Sequence, residues 1–147
     1  MKSQSSVELI TIVAVLLIIL SLWTFSIRSQ SAVVRVFDDE NSRIYWKSTP
    51  IALNQFWFNG EVISFEIQNK LFDEVNITNI AVSGNLIFNG TLILTPGQQN
   101  QSNFSFYQVY EDNEPYTFDV NITYSFTRTN QSYIFYGQYA LVGRVQE

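Results

Sequence analysis

Hydrophobic residues follow two regimes along this chain. Across residues 9–27 they run almost unbroken. Ile, Leu and Val dominate, neither Gly nor Pro intervenes, and no charge lies between Glu8 and Arg28. At about 1.5 Å per residue the run predicts a helix of roughly 28 Å, close to the hydrocarbon thickness of a bilayer. Beyond residue 32 the pattern shortens to alternation. In 61–68, Ile63, Phe65 and Ile67 fall on one face, with Val62, Ser64, Glu66 and Gln68 on the other. In 116–126, Tyr116, Phe118, Val120, Ile122, Tyr124 and Phe126 point one way, and Thr117, Asp119, Asn121, Thr123 and Ser125 the other. Period-two alternation is the signature of a half-buried strand.

Turn residues divide the second region. Asn59-Gly60 predicts a hairpin between strands at 51–58 and 61–68, and Asn89-Gly90 predicts another between 86–88 and 91–94. A strand at 75–82 is closed by Ser83-Gly84. Residues 96–101 read as a loop, 104–110 as a strand, 111–115 as an acidic turn and 129–131 as a turn. Residues 132–145 predict one long aromatic strand with bulges or bends at Gly137 and Gly143. Ahead of these, 33–37 reads as a last helical turn or a first strand, 38–41 as an acidic turn and 43–46 as an edge strand. No helical periodicity shows after residue 36. Short strands with turn signals every 8 to 12 residues point to a sandwich or barrel. The expected fold class is therefore α+β: a long N-terminal hydrophobic helix followed by an all-β antiparallel, immunoglobulin-like sandwich. The 23 aromatic residues are mainly its core, with an adhesive or glycan-binding patch as the other use for some of them.

Composition narrows the function. The chain has 147 residues and a formal charge of −5. Residues 33–147 hold six Lys or Arg and twelve Asp or Glu, a net −6 for that part. An acidic head disfavours nucleic acid, which needs clustered cations. There is no Cys, hence no disulfide framework or thiolate metal site. There is no His either, which removes the commonest general base and neutral metal ligand. The carboxylates cluster in turns, outside any recognisable catalytic motif. The expectation is no enzyme, no cofactor and no resident metal. Whether the acidic turns hold a cation stays open.

The stretch ahead of the apolar run is distinctive. Lys2-Ser3-Gln4-Ser5-Ser6-Val7-Glu8 sets a carboxylate at the mouth of a membrane-length helix, and an ionisable group there is a functional candidate. Gln4-x-Ser6-x-Glu8, preceded by Lys2-Ser3 and followed by an aliphatic helix, resembles the class III signal peptide of archaeal type IV pilins and pilin-like proteins. Ile12 stands where that family often carries Leu. The resemblance implies that a prepilin peptidase cuts between Ser3 and Gln4, leaving residues 1–3 as a removed leader. Residues 4–32 then form the membrane and filament-core helix, and 33–147 the extracellular domain. It further implies that Glu8 of one subunit pairs with the Gln4 amine of a neighbour in a helical homo-oligomer, and that the helix sits in the cytoplasmic membrane before assembly. The Gly-rich start of archaellins is absent, which points away from a swimming filament.

Other readings of the same residues stay open. One is an ordinary signal anchor; another is a conventional signal peptide cut near Ser29-Gln30-Ser31. Six Asn-x-Ser/Thr sequons, at Asn76, Asn89, Asn100, Asn103, Asn121 and Asn130, favour a head outside the cell, where such sites can be modified. The leading expectation is a structural subunit of a type IV pilus-like surface filament serving adhesion. The alternative is a membrane-anchored binding module, or a minor pilin-like protein, that captures a surface or glycan ligand without forming a bulk filament.

Overall fold

The computed structural model describes the backbone of residues 2–147 and the side chains of residues 6–23 and 39–147. The chain forms two compact units, Met1–Phe37 and Asp38–Glu147. Helix α1, Lys2–Ser48, begins in the first and ends in the second.

Within the first unit, Ser6–Trp23 has a mean hydropathy of 2.5 and buries none of its surface inside the protein. It is long and apolar enough to cross a membrane. Thr11 Oγ1 donates to the Val7 carbonyl and Ser21 Oγ to the Leu17 carbonyl, each at 2.8 Å. These back-bonds satisfy both hydroxyls inside the helix, which lowers the cost of placing them in an apolar medium. A helix apolar on every side must be covered by lipid or by other helices.

In the second unit the helix continues through residues expected to be a turn at 38–41 and an edge strand at 43–46. The reason is a short amphipathic stripe. Ser42, Trp46 and Thr49, spaced by four and three residues, are all buried and lie on one face. Seven residues of periodicity beside an acidic cluster read poorly as a helix. Ser42 Oγ donates to the Ala140 carbonyl at 2.6 Å and accepts from Val142 N–H at 3.2 Å. The Tyr45 hydroxyl accepts from Gln138 N–H at 2.9 Å. Pro50 disfavours helical geometry at Thr49. Ser48 and Thr49 hydroxyls then donate to the last-turn carbonyls of Tyr45 and Trp46.

Among the described residues the strands are β1 Ile51–Phe58, β2 Val62–Asn69, β3 Val75–Val82, β4 Asn85–Leu94, β5 Gln99–Ser105, β6 Pro115–Phe118, β7 Val120–Phe126, β8 Ser132–Tyr136 and β9 Leu141–Arg144. They form three sheets, in the orders β1-β2-β5, β4-β3-β7-β8 and β6-β9, with every pairing antiparallel. One hydrophobic cluster takes residues from all three sheets and from the end of α1, including Trp46, Phe58, Phe65, Ile80, Ile122 and Leu141. The α+β class expected from the sequence is the fold observed.

The turns divide by their chemistry. Asn59-Gly60 closes the β1–β2 hairpin as expected. Asn59 Oδ1 accepts from the N–H groups of Glu61 and Val62, and Gly60 takes φ +92°, open to a residue without Cβ. Asn89-Gly90 makes no turn. It lies inside β4, where the pairing with β3 shifts register between Ile77 and Asn79. The β3–β4 hairpin turns at Ser83-Gly84 instead, with φ of 48° and 79°, as a tight two-residue turn of positive φ requires. The loop expected at 96–101 ends early. Residues from Gln99 pair with β2, and irregular backbone replaces the strand expected through 110.

The two long strands expected at 116–126 and 132–145 are each broken. Asp119 separates β6 from β7, which lie in different sheets, yet Tyr116, Phe118, Val120 and Ile122 all remain buried. Gly137 separates β8 from β9, where the Trp46 ring packs. Gly143 lies within β9 beneath Tyr116. Both glycines admit a ring rather than make a bulge. At the end of β2, buried Asn69 ties the corner together. Its Nδ2 donates to the Asp73 and Leu94 carbonyls and its Oδ1 accepts from Leu71 N–H, all at 2.9 Å.

Candidate functional site

The N-terminal constellation lies on the first turns of α1. Ser3 and Gln4 belong to the helix but fall outside the residues whose side chains are described. Glu8 is described and exposed, on the helix surface it shares with Val7, Thr11 and Ile12. The next acidic residues in sequence are Asp38 and Asp39. Chemically the segment offers one carboxylate on an otherwise uncharged helix surface. In a packed bundle that carboxylate needs a cation or hydrogen-bond donors beside it.

The sequons occupy different settings. Asn89 lies on β4 and Asn130 in the β7–β8 turn at φ 56°, and both are exposed. Asn103 is exposed on β5, where its Oδ1 accepts from the buried Ser64 hydroxyl at 2.6 Å. Asn100 is half-buried and accepts from its own sequon hydroxyl, Ser102 Oγ, at 3.3 Å. Asn121 is half-buried on β7, paired in register with Tyr136. Asn76 is the most constrained. It sits on β3, with strands on both sides, and its Oδ1 accepts from Leu92 N–H at 3.1 Å. Phe104 and Ile122, the middle residues of two sequons, point into the core.

A polar cleft of about 310 Å³ opens in the second unit. Asp39 and Arg43 come to it from α1, Asn113 from the turn before β6, Tyr116 from β6, Arg144 from the end of β9 and Gln146 from just beyond it. Arg43 holds its guanidinium 5.7 Å above the Phe56 ring. Arg144 Nη1 donates to the Asn113 carbonyl at 2.9 Å. Tyr116 is 3% exposed and stacks on Phe118 with ring centroids 4.8 Å apart. A Cβ on Gly143 would stand 2.5 Å from the Tyr116 hydroxyl, so glycine is what lets that ring lie there. Burial pushes the Tyr116 hydroxyl up to about 12; Arg43 pulls it down and Asp39 pushes it further up. It is a neutral donor across the physiological range.

Sequence reasoning missed this cleft. Its residues come from three separated segments, and the helix that carries Asp39 and Arg43 was expected to be turn and strand. The one signal available was four arginines, Arg43 and Arg144 among them, in an acidic head. Elsewhere, Tyr124, Phe126 and Tyr133 form a half-exposed aromatic group at the end of the β7–β8 hairpin, with Tyr124 and Tyr133 stacked at 5.8 Å. Among the described residues no three carboxylates converge as metal ligands would. No known protein family matches the chain in a scan of family models, and no curated protein matches it.

Proposed function

We propose that the chain is a structural subunit of a type IV pilus-like surface filament rather than an enzyme. The observation that carries this reading is Glu8, exposed at the start of an 18-residue apolar helix that buries nothing within the protein. The sequence Lys2-Ser3-Gln4-x-Ser6-x-Glu8 in front of that helix supports processing between Ser3 and Gln4. Before assembly the helix anchors the protein in the membrane with the β-sheet unit outside the cell. After cleavage it joins a bundle of identical helices, where apolar surface supplies adhesion. Glu8 pairs there with the α-amine of Gln4 in a neighbour. A buried pair adds little net stability over an apolar substitute, but breaking one is costly, so the pair acts on axial register. The exposed sequons, Asn89 and Asn130 foremost, suit a glycoprotein head facing the medium.

Mass spectrometry of filaments sheared from intact cells, with electron microscopy of the same preparation, tests this reading. The expected result is this chain as the main filament component, with its first residue Gln4. Filaments lacking the chain, or a mature protein starting at Met1 or Ala32, would contradict it.

A further inference from the structure

We propose that the cleft between the end of α1 and the β6–β9 sheet binds a small carboxylated sugar, with Arg43 and Arg144 taking the carboxylate and Tyr116 donating to it. This does not rest on the filament reading, since every lining residue lies in the β-sheet unit. The volume, about 310 Å³, is at the low end of the range of small-molecule pockets.

The cleft has donors to spare for an anion. A guanidinium carries five N–H donors. Arg144 uses one on the Asn113 carbonyl, and Arg43 is held by a ring face, which uses none. Both are therefore positioned by the protein with donors to spare. Arg forks match the two oxygens of a carboxylate. Tyr116 adds a further donor at the same cleft. Its ring is buried, but the hydroxyl itself reaches the open space of the cleft and makes no hydrogen bond among the described residues. The hydroxyl borders the same cleft as both guanidinium groups and keeps its donor available to a ligand there. The glycine at 143 preserves that position, because any Cβ there would displace the hydroxyl.

The ligand class follows from the rest of the lining. Asp39 shares the cleft, so the charged lining groups sum to a single positive charge. A monoanion neutralises that single charge and leaves none over. Asp39, Asn113 and Gln146 also supply acceptors and donors suited to hydroxyl groups. A monoanion carrying several hydroxyls, such as a uronic acid, satisfies both halves. The arginines are exposed, so binding is weak and falls with added salt.

Titration of the full chain in detergent with glucuronate, glucose and inorganic phosphate, followed by NMR shifts or calorimetry, tests this. Glucuronate is expected to bind, with glucose, which lacks the carboxylate, and phosphate, which lacks the ring hydroxyls, each at least tenfold weaker. Arg43→Gln and Arg144→Gln, both at exposed positions, should each weaken glucuronate at least tenfold with unchanged thermal unfolding. Tyr116→Phe should weaken it roughly threefold to tenfold, the range for one hydrogen bond. No glucuronate binding, binding that survives both arginine substitutions, or phosphate binding as tight as glucuronate would overturn the proposal.

Discussion

Gly137 lies against the edge of the Trp46 indole so closely that a Cβ on it would stand 2.5 Å from Cη2 and Cζ2 of that ring, and 3.0 Å from the Val120 carbonyl oxygen. This contact fixes the end of α1 to the break between β8 and β9. Trp46 is fully buried and also meets Tyr45 and Phe135 edge-to-face. With rigid groups on two sides, a methyl has nowhere to go. Gly137→Ala should therefore lower stability by about 1 to 3 kcal/mol, the usual cost of overpacking. Chemical denaturation of the two proteins in the same detergent checks it; an unchanged midpoint would mean the ring has room to move.

Asn69 should be more sensitive still. Its side chain serves two carbonyls and one N–H at a fully buried corner. Asn69→Ala leaves those three groups without partners and should cost about 3 kcal/mol or more. Asn69→Asp should be at least as damaging, because an oxygen would then face the carbonyls of Asp73 and Leu94. Thermal unfolding by circular dichroism distinguishes this from a tolerant surface turn, for which both variants would melt like the parent.

The pH dependence of stability has a defined sign at Tyr116. Its folded value, about 12, lies above the ordinary 10.0 of an unfolded tyrosine. The folded state holds that proton more tightly, so the contribution is fully present below pH 10 and is lost as pH rises toward 12. Two units correspond to a contribution on the order of 2 to 3 kcal/mol. Tyr116→Phe should flatten the fall between pH 10 and 12. Parallel unfolding curves for the two proteins across that window would show that Tyr116 is not the group responsible.

The β alternation was legible in the sequence, and its breaks were not. Residues 116–126 alternate without fault, and the inward set from Tyr116 to Ile122 is buried. Alternation survives the change of sheet at Asp119 because the pleat keeps its phase there, so nothing local marks the break. Asn89-Gly90 carries a hairpin signature, but β3 is long enough to pair along all of β4, and the register shift absorbs the glycine. The helical end at 39–48 shows only Ser42, Trp46 and Thr49 as its stripe, too short a run to stand against an acidic cluster. Of the sites, Glu8 stands out by being the lone charge in an apolar stretch. The cleft does not, because tertiary packing alone brings residues 43, 116 and 144 together.

Sequon occupancy should follow accessibility. Asn89 and Asn130 are exposed and their side-chain amides take no part in hydrogen bonds among the described residues, whereas the Asn76 side-chain Oδ1 is engaged by Leu92 N–H within a paired strand. Glycopeptide mass spectrometry of the native protein should find glycan at Asn89 and Asn130 and bare Asn76. Modified Asn76 beside bare Asn89 and Asn130 would contradict this order and place modification before the sheet forms.

The filament account turns on Glu8. In a lone membrane anchor a carboxylate at the helix start reaches water, and Glu8→Gln changes little. In a bundle of identical helices it faces the freed amine of Gln4, which has an ordinary pKa of about 7.7 to 8.0 and is largely charged at neutral pH. Removing one partner leaves the other buried and uncompensated, at a cost of about 3 to 5 kcal/mol per subunit. Cleavage and membrane insertion do not depend on that pairing. The decisive measurement is electron microscopy of Glu8→Gln cells, paired with N-terminal sequencing of their membrane fraction. The account predicts processed protein starting at Gln4, retained in the membrane, with few or no filaments. Filaments of normal number and length, built from the Glu8→Gln chain, would contradict it.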